Sequence, residues 1–213
     1  MKKKSSIFNY FIVFLTIIII AVALWWLVDK KSDSGKPYTV YNNYVIYEDK
    51  DEKSLRYIVE VVVNNGNKYS HFFKRYPSDL VELDYEEGLR GKVLYGNVES
   101  SVKKDKIYLS FNPNMDGADI LTAGTLVQIL GTSNAGIYKI PVVISVSEDN
   151  NNSDFPVKTC EDSTDEEMVI ELRYGDPKIY SDGECVVIQG NNREDFINMN
   201  DLLSYIILGV IEE

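Results

Sequence analysis

The stretch IFNYFIVFLTIIIIAVALWWLV, residues 7–28, decides how the rest of the chain has to be read. It carries no charge, and Asn9 and Thr16 are its only clearly polar side chains. As a helix rising about 1.5 Å per residue it reaches about 33 Å, enough to cross a hydrocarbon core of about 30 Å. Lys2, Lys3 and Lys4 precede it with no acid to offset them, whereas the far flank mixes Lys30, Lys31 and Lys36 with Asp29 and Asp33. Lysine-rich ends stay on the cytoplasmic side. The sequence therefore predicts a single-pass anchor in the cell membrane, N-terminus cytoplasmic and the bulk of the chain extracytoplasmic. Trp25 and Trp26 then fall at the outer membrane interface, a depth that suits an apolar ring with a polar N–H. The rival reading is a cleaved signal peptide, with residues 7–20 as its apolar region and Ala21-Val22-Ala23 as the cleavage site. Leu24 to Val28 continue the apolar run past that site, which favours the uncleaved anchor. Both readings export the remainder.

The remainder is strongly acidic. The chain has 33 acids and 22 bases, and setting aside the first 28 residues leaves 33 against 19, a charge of −14. Such a surface repels nucleic acid and suits cations or simple solubility. The hydrophobic fraction of 45% and 15 tyrosines predict a folded ectodomain. Its two cysteines, Cys160 and Cys185, have one connectivity open to them in an exported domain. Two free thiols are the alternative, and a catalytic thiol a remote one, because the single histidine, His71, lies far off in the sequence.

Residues 29–37 read as a short polar linker. Residues 38–105 read as a β-meander lobe. Strands are expected at 38–47, 55–63 and 68–74, with Tyr57, Val59, Val61 and Val63 on one face. Residues 48–54 are expected to turn, and Asn64-Asn65-Gly66-Asn67 carries a hairpin signal. A short helix should start near Pro77, capped by Ser78 or Asp79. Residues 82–96 carry no clear pattern.

Residues 106–213 read as a small helix-on-sheet, α/β-like sandwich. Strands are expected at 106–111, 136–147, 168–174 and 185–189, with Pro141 marking an edge or buried position. A helix is expected at 118–130, facing inward through Ile120, Leu121, Gly124, Val127 and Leu130 and stopped by Gly131. A closing helix over 193–211, capped by Asn191 or Asn192, repeats Phe196, Met199, Leu203, Ile206 and Val210 every three to four residues. The fold class is thus α+β: an N-terminal transmembrane helix, then an ectodomain with an antiparallel meander and the sandwich.

Candidate chemistry is sparse. Residues 112–117 match the first half of a calcium loop, but Ala123 stands where the bidentate glutamate belongs, so a turn capped by Asp116 or Asn114 is the simpler reading. Glu161, Asp162 and Asp165 crowd the segment after Cys160 and are candidate ligands for a hard cation, against a solvated loop. Asn151 opens an Asn-Asn-Ser glycosylation triplet. Leu202 and Tyr205 on the closing helix are candidate partner contacts, against burial in the core or an interfacial membrane helix. No nucleophile elbow, phosphate loop or zinc spacing is present, and no catalytic residue is assigned.

The segments Arg75-Tyr76-Pro77-Ser78-Asp79-Leu80, Ile107 to Pro113, Thr159-Cys160-Glu161-Asp162-Ser163-Thr164, Gly183 to Gly190 and Asp201 to Gly209 together resemble a family of small, single-anchor archaeal envelope proteins with no assigned activity. The resemblance covers most of the ectodomain and implies an exported, disulfide-bearing domain. It carries over no catalytic or binding residue. The expectation is a non-enzymatic, membrane-tethered domain without a cofactor. Membrane lipid is its partner through the N-terminal helix, and another envelope protein is its partner outside. A cation- or ligand-binding receptor domain and a carboxylate-based hydrolase are the alternatives.

Overall fold

A computed structural model of the chain describes residues 37–51, 54–63, 65–95, 103–149 and 154–213. Residues 7–28, with Trp25 and Trp26, lie outside the described residues. Among the described residues no helix is long and apolar enough to cross a membrane. The part from Tyr38 to Glu213 forms one unit, with a contiguous core drawn from both halves.

Asn42 and Asn43 both take positive φ, 44° and 67°, a backbone that Asn tolerates better than most residues. They fold the expected single strand into a hairpin of β1 (Tyr38–Tyr41) and β2 (Tyr44–Asp51). β3 (Ser54–Val62) and β4 (Lys68–Phe73) follow, with Gly66 at φ +81° between them. The meander therefore has four antiparallel strands, in order β1-β2-β3-β4, rather than three. Ile46, Val59 and His71 pair across it and are fully buried, which defines its inner face.

A 3-10 turn, Pro77–Asp79, leads on, with Tyr76 at its N-cap and no side-chain cap. The unassigned stretch contains a helix, α1 (Leu89–Tyr95), that buries Leu89, Val93 and Leu94. β5 (Lys106–Phe111) precedes a broken helical segment: α2 (Gly117–Ile120), a 3-10 turn (Leu121–Ala123) and α3 (Gly124–Leu130). Its inner face is Ala123, Leu126, Ile129 and Leu130, while Leu121 is 79% exposed. The expected stripe was rotated, because the 3-10 turn advances three residues per turn where an α-helix advances 3.6.

β6 (Val142–Val146) starts just after Pro141, on the sheet edge that a residue without an N–H tolerates. β7 (Glu167–Tyr174), β8 (Lys178–Asp182) and β9 (Cys185–Gly190) complete a five-stranded sheet of order β6-β5-β7-β9-β8. Only β8, unforeseen in the sequence, runs antiparallel to its neighbour.

α4 (Arg193–Leu208) starts at Asn192, whose side chain accepts from the Glu194 and Asp195 N–H groups. It ends at Gly209, in the left-handed conformation at φ +76°. One side of α4 packs on β8 and β9 of the five-stranded sheet. The other meets the meander: the Tyr205 ring stacks on Phe73 at 3.9 Å, and Tyr44 donates to the Leu208 carbonyl. The architecture is mixed α+β, two sheets with α4 between them, and every residue from Asn200 to Leu208 is buried.

Candidate functional site

Cys160 and Cys185 form a disulfide, with Cα atoms 5.0 Å apart. Cys185 opens β9 and points to the face of the five-stranded sheet away from α4, where the buried cluster is only Val169, Cys185 and Val187. A cross-over segment lies on this thin layer: Ser110 donates to the Lys158 carbonyl, and Cys160 sits in a 3-10 turn, Cys160–Asp162. The bond pins that turn where little apolar area does so. Glu171 beside it is clamped by both forks of Arg173, at 2.9 and 3.0 Å. Replacing both cysteines by serine is expected to cost about 3 kcal/mol, from the loop entropy restored to the unfolded chain. Urea midpoints of the variant and the oxidised parent check this, and equal midpoints would refute it.

The proposed cation ligands are not brought together. Glu161, Asp162 and Asp165 are exposed. Asp162 accepts from the Thr159 N–H at 2.8 Å and closes a capping box, and that hydrogen bond is the main reason its carboxyl is held below the usual range. Among the described residues the one close set of three potential ligand groups is Cys160, Glu171 and Cys185. Two of these are sulfurs bonded to each other, so it is no thiolate site. Residues 112–117 also spend their oxygens locally: Asn112 Oδ1 accepts from Asn114 N, and Asp116 Oδ1 caps α2 through Ala118 N. Asn151 lies outside the described residues.

Leu202 and Tyr205 are not partner contacts. Both are fully buried, because α4 is enclosed on both sides rather than resting on one sheet. Tyr205 donates to the Arg75 carbonyl at 2.8 Å. His71 is buried without a hydrogen-bond partner on either ring nitrogen, and burial lowers its pKa to about 4. It is a neutral core residue.

What the structure exposes lies elsewhere. Directly opposed residues of antiparallel strands share a face, and Tyr38, Tyr47, Ile58 and Phe72 are opposed in succession across all four strands of the meander. They form an apolar row on its outer face. Tyr38 is 64% exposed and Phe72 46%, with Val40 beside them at 62%. The sequence held a signal for this: Tyr38, Val40, Val45 and Tyr47 put four apolar side chains on one face of the hairpin, opposite the face that carries the buried Ile46.

At the β4 end of the row lies a cavity of about 400 Å3, walled by Phe72, Lys74, Leu121, Thr125, Arg193 and Asp201 among others. Asp201 Oδ2 accepts from the backbone N–H groups of Lys74 and Arg75, at 2.7 and 3.0 Å. Burial outweighs those bonds and raises its pKa to about 7. Arg56 reaches over the Phe72 ring at 5.5 Å while pairing with Asp49 at 3.0 Å. No family model, curated protein or solved structure matches the chain. Any function has to be argued from these surfaces.

Proposed function

We propose that this protein is a membrane-tethered extracytoplasmic domain that works by contact with another envelope protein, through the outer face of the meander. The observation that carries the reading is the outer-face row Tyr38, Tyr47, Ile58 and Phe72, exposed at its two ends and half-buried between them. Aromatic and apolar side chains flanked by charged groups have the composition of a docking face. The uncharged stretch 7–28 supports the tether, with the three lysines before it on the cytoplasmic side. Nine linker residues, with a reach of at most about 30 Å, separate that stretch from β1 in the sequence. The resemblance to archaeal envelope proteins points the same way. The role is structural or accessory, not catalytic.

Affinity capture from solubilised membranes tests this with the parent and a Tyr38→Ser/Tyr47→Ser variant. Both positions lie on the solvent side of the sheet, so the variant should keep its stability to within about 1 kcal/mol. The parent is expected to retain a partner that the variant loses at least tenfold. A parent that stays monomeric and alone, or a variant that retains the same partner, would sink the proposal.

A further inference from the structure

Lys74 and Arg193 face the cavity at the β4 end of the meander, and among the described residues neither makes an ion pair. With 33 acids to 22 bases, an unpaired cation is against the balance of the chain. The local acids are committed elsewhere. Glu194 pairs with Arg75, and Asp195 Oδ2 accepts from Asn191 N at 3.0 Å and from the Asn192 amide at 2.9 Å. Asp201 spends Oδ2 on two backbone N–H groups, and among the described residues its Oδ1 carries no hydrogen bond. The apolar wall is equally unused: Leu121 is 79% exposed beside Phe72 at 46%. Two cations that make no ion pair among the described residues, the Asp201 carboxyl that Lys74 attracts at longer range, and an apolar wall therefore meet in one cavity of ligand size.

We propose that this cavity binds a small soluble organic oxyanion, its carboxylate or phosphate group held by Lys74 and Arg193 and its apolar body against Phe72 and Leu121. Arg193 supplies the planar fork that matches either anion, and Lys74 the compact charge. Arg56 adds long-range attraction, although its own guanidinium is shared with Asp49. A hydroxyl or amine next to the anionic group meets Asp201 Oδ1. Phe72 belongs both to this site and to the docking row, but Tyr38 and Tyr47 take no part in the cavity, so the Tyr38→Ser/Tyr47→Ser variant should lose the partner and keep the ligand.

Thermal unfolding of the full chain in uncharged detergent tests the site, with phenyl phosphate, benzoate and inorganic phosphate as probes. At least one aromatic probe is expected to raise Tm saturably, with half-saturation at a concentration at least tenfold below that of inorganic phosphate. Lys74→Gln/Arg193→Gln should abolish the shift, and Leu121→Ser should weaken it several-fold. All three side chains are exposed, so the unliganded Tm should hold within a few degrees. If the double variant is itself destabilised, probe-induced NMR shifts in the parent decide, and they must centre on Thr125, Gln128 and Ile197. Neither aromatic probe shifting Tm, a shift that survives the double variant, or inorganic phosphate binding equally well would each overturn the proposal.

Discussion

Tyr205→Ala is expected to lower the stability of the domain by about 4–5 kcal/mol, the largest effect of any single change considered. Two losses combine. The ring is fully buried and stacked on Phe73 at 3.9 Å, so truncation leaves a large cavity where the meander meets α4. Emptying a buried aromatic site costs about 3–5 kcal/mol. The hydroxyl is also the donor to the Arg75 carbonyl, which is left without that partner. Tyr205→Phe isolates this last part and should cost about 1–2 kcal/mol. Guanidinium midpoints measure both. A loss under about 1 kcal/mol for the alanine variant, together with loss of a binding partner, would return Tyr205 to the surface role first assigned to it.

The second large effect is a pH profile. Asp201 titrates at about 7 in the fold, raised by burial, against about 3.9 in an unfolded chain. A raised acid stabilises the fold below its unfolded pKa, and that contribution is lost as pH rises from about 4 through 7. At about 1.4 kcal/mol per unit the loss is on the order of 4 kcal/mol. His71 acts in the opposite sense. Its pKa is lowered to about 4, against about 6.5 unfolded, so its contribution is present above 6.5 and lost as pH falls. Between pH 4 and 6.5 the two slopes largely offset each other. Asp201→Asn keeps an acceptor for the Lys74 and Arg75 N–H groups and removes one slope. The variant should gain on the order of 3 kcal/mol as pH rises from 4 to 6.5, while the parent stays nearly level. At pH 8 the variant should be the more stable. Urea unfolding at pH 4.5, 6 and 8 reads this out, and parallel profiles for the two proteins would refute it.

The elements that were legible in the sequence are those whose signal is local. The alternation of Tyr57, Val59 and Val61 marks β3, and Asn192 followed by a helical repeat marks the start of α4. The missed elements are those whose pattern is set by tertiary context. The 38–47 segment reads as one strand because Asn42-Asn43 interrupts the apolar run without the usual glycine. β8 has only five residues and one buried side chain, Ile179, so its identity comes from pairing with β9. The cysteine pair was readable from the count of two once export was expected. The site was not: the outer row joins residues of four strands, and the cavity joins Lys74, Leu121 and Arg193. Such juxtapositions exist only after the sheets have closed on α4. The same enclosure misled the reading of Leu202 and Tyr205, because a helix apolar on most sides looks half-unused until both covers are known.

Because α4 is the wall common to both sheets, the order of synthesis opposes the order of assembly. β1 to β4 leave the ribosome first, yet Phe73 has no ring to stack on, and the Lys74 and Arg75 N–H groups no carboxylate, until the helix more than a hundred residues downstream arrives. Closure over such sequence separations is slow, and the greasy inner face of the early strands is the part a holding chaperone would have to shield meanwhile.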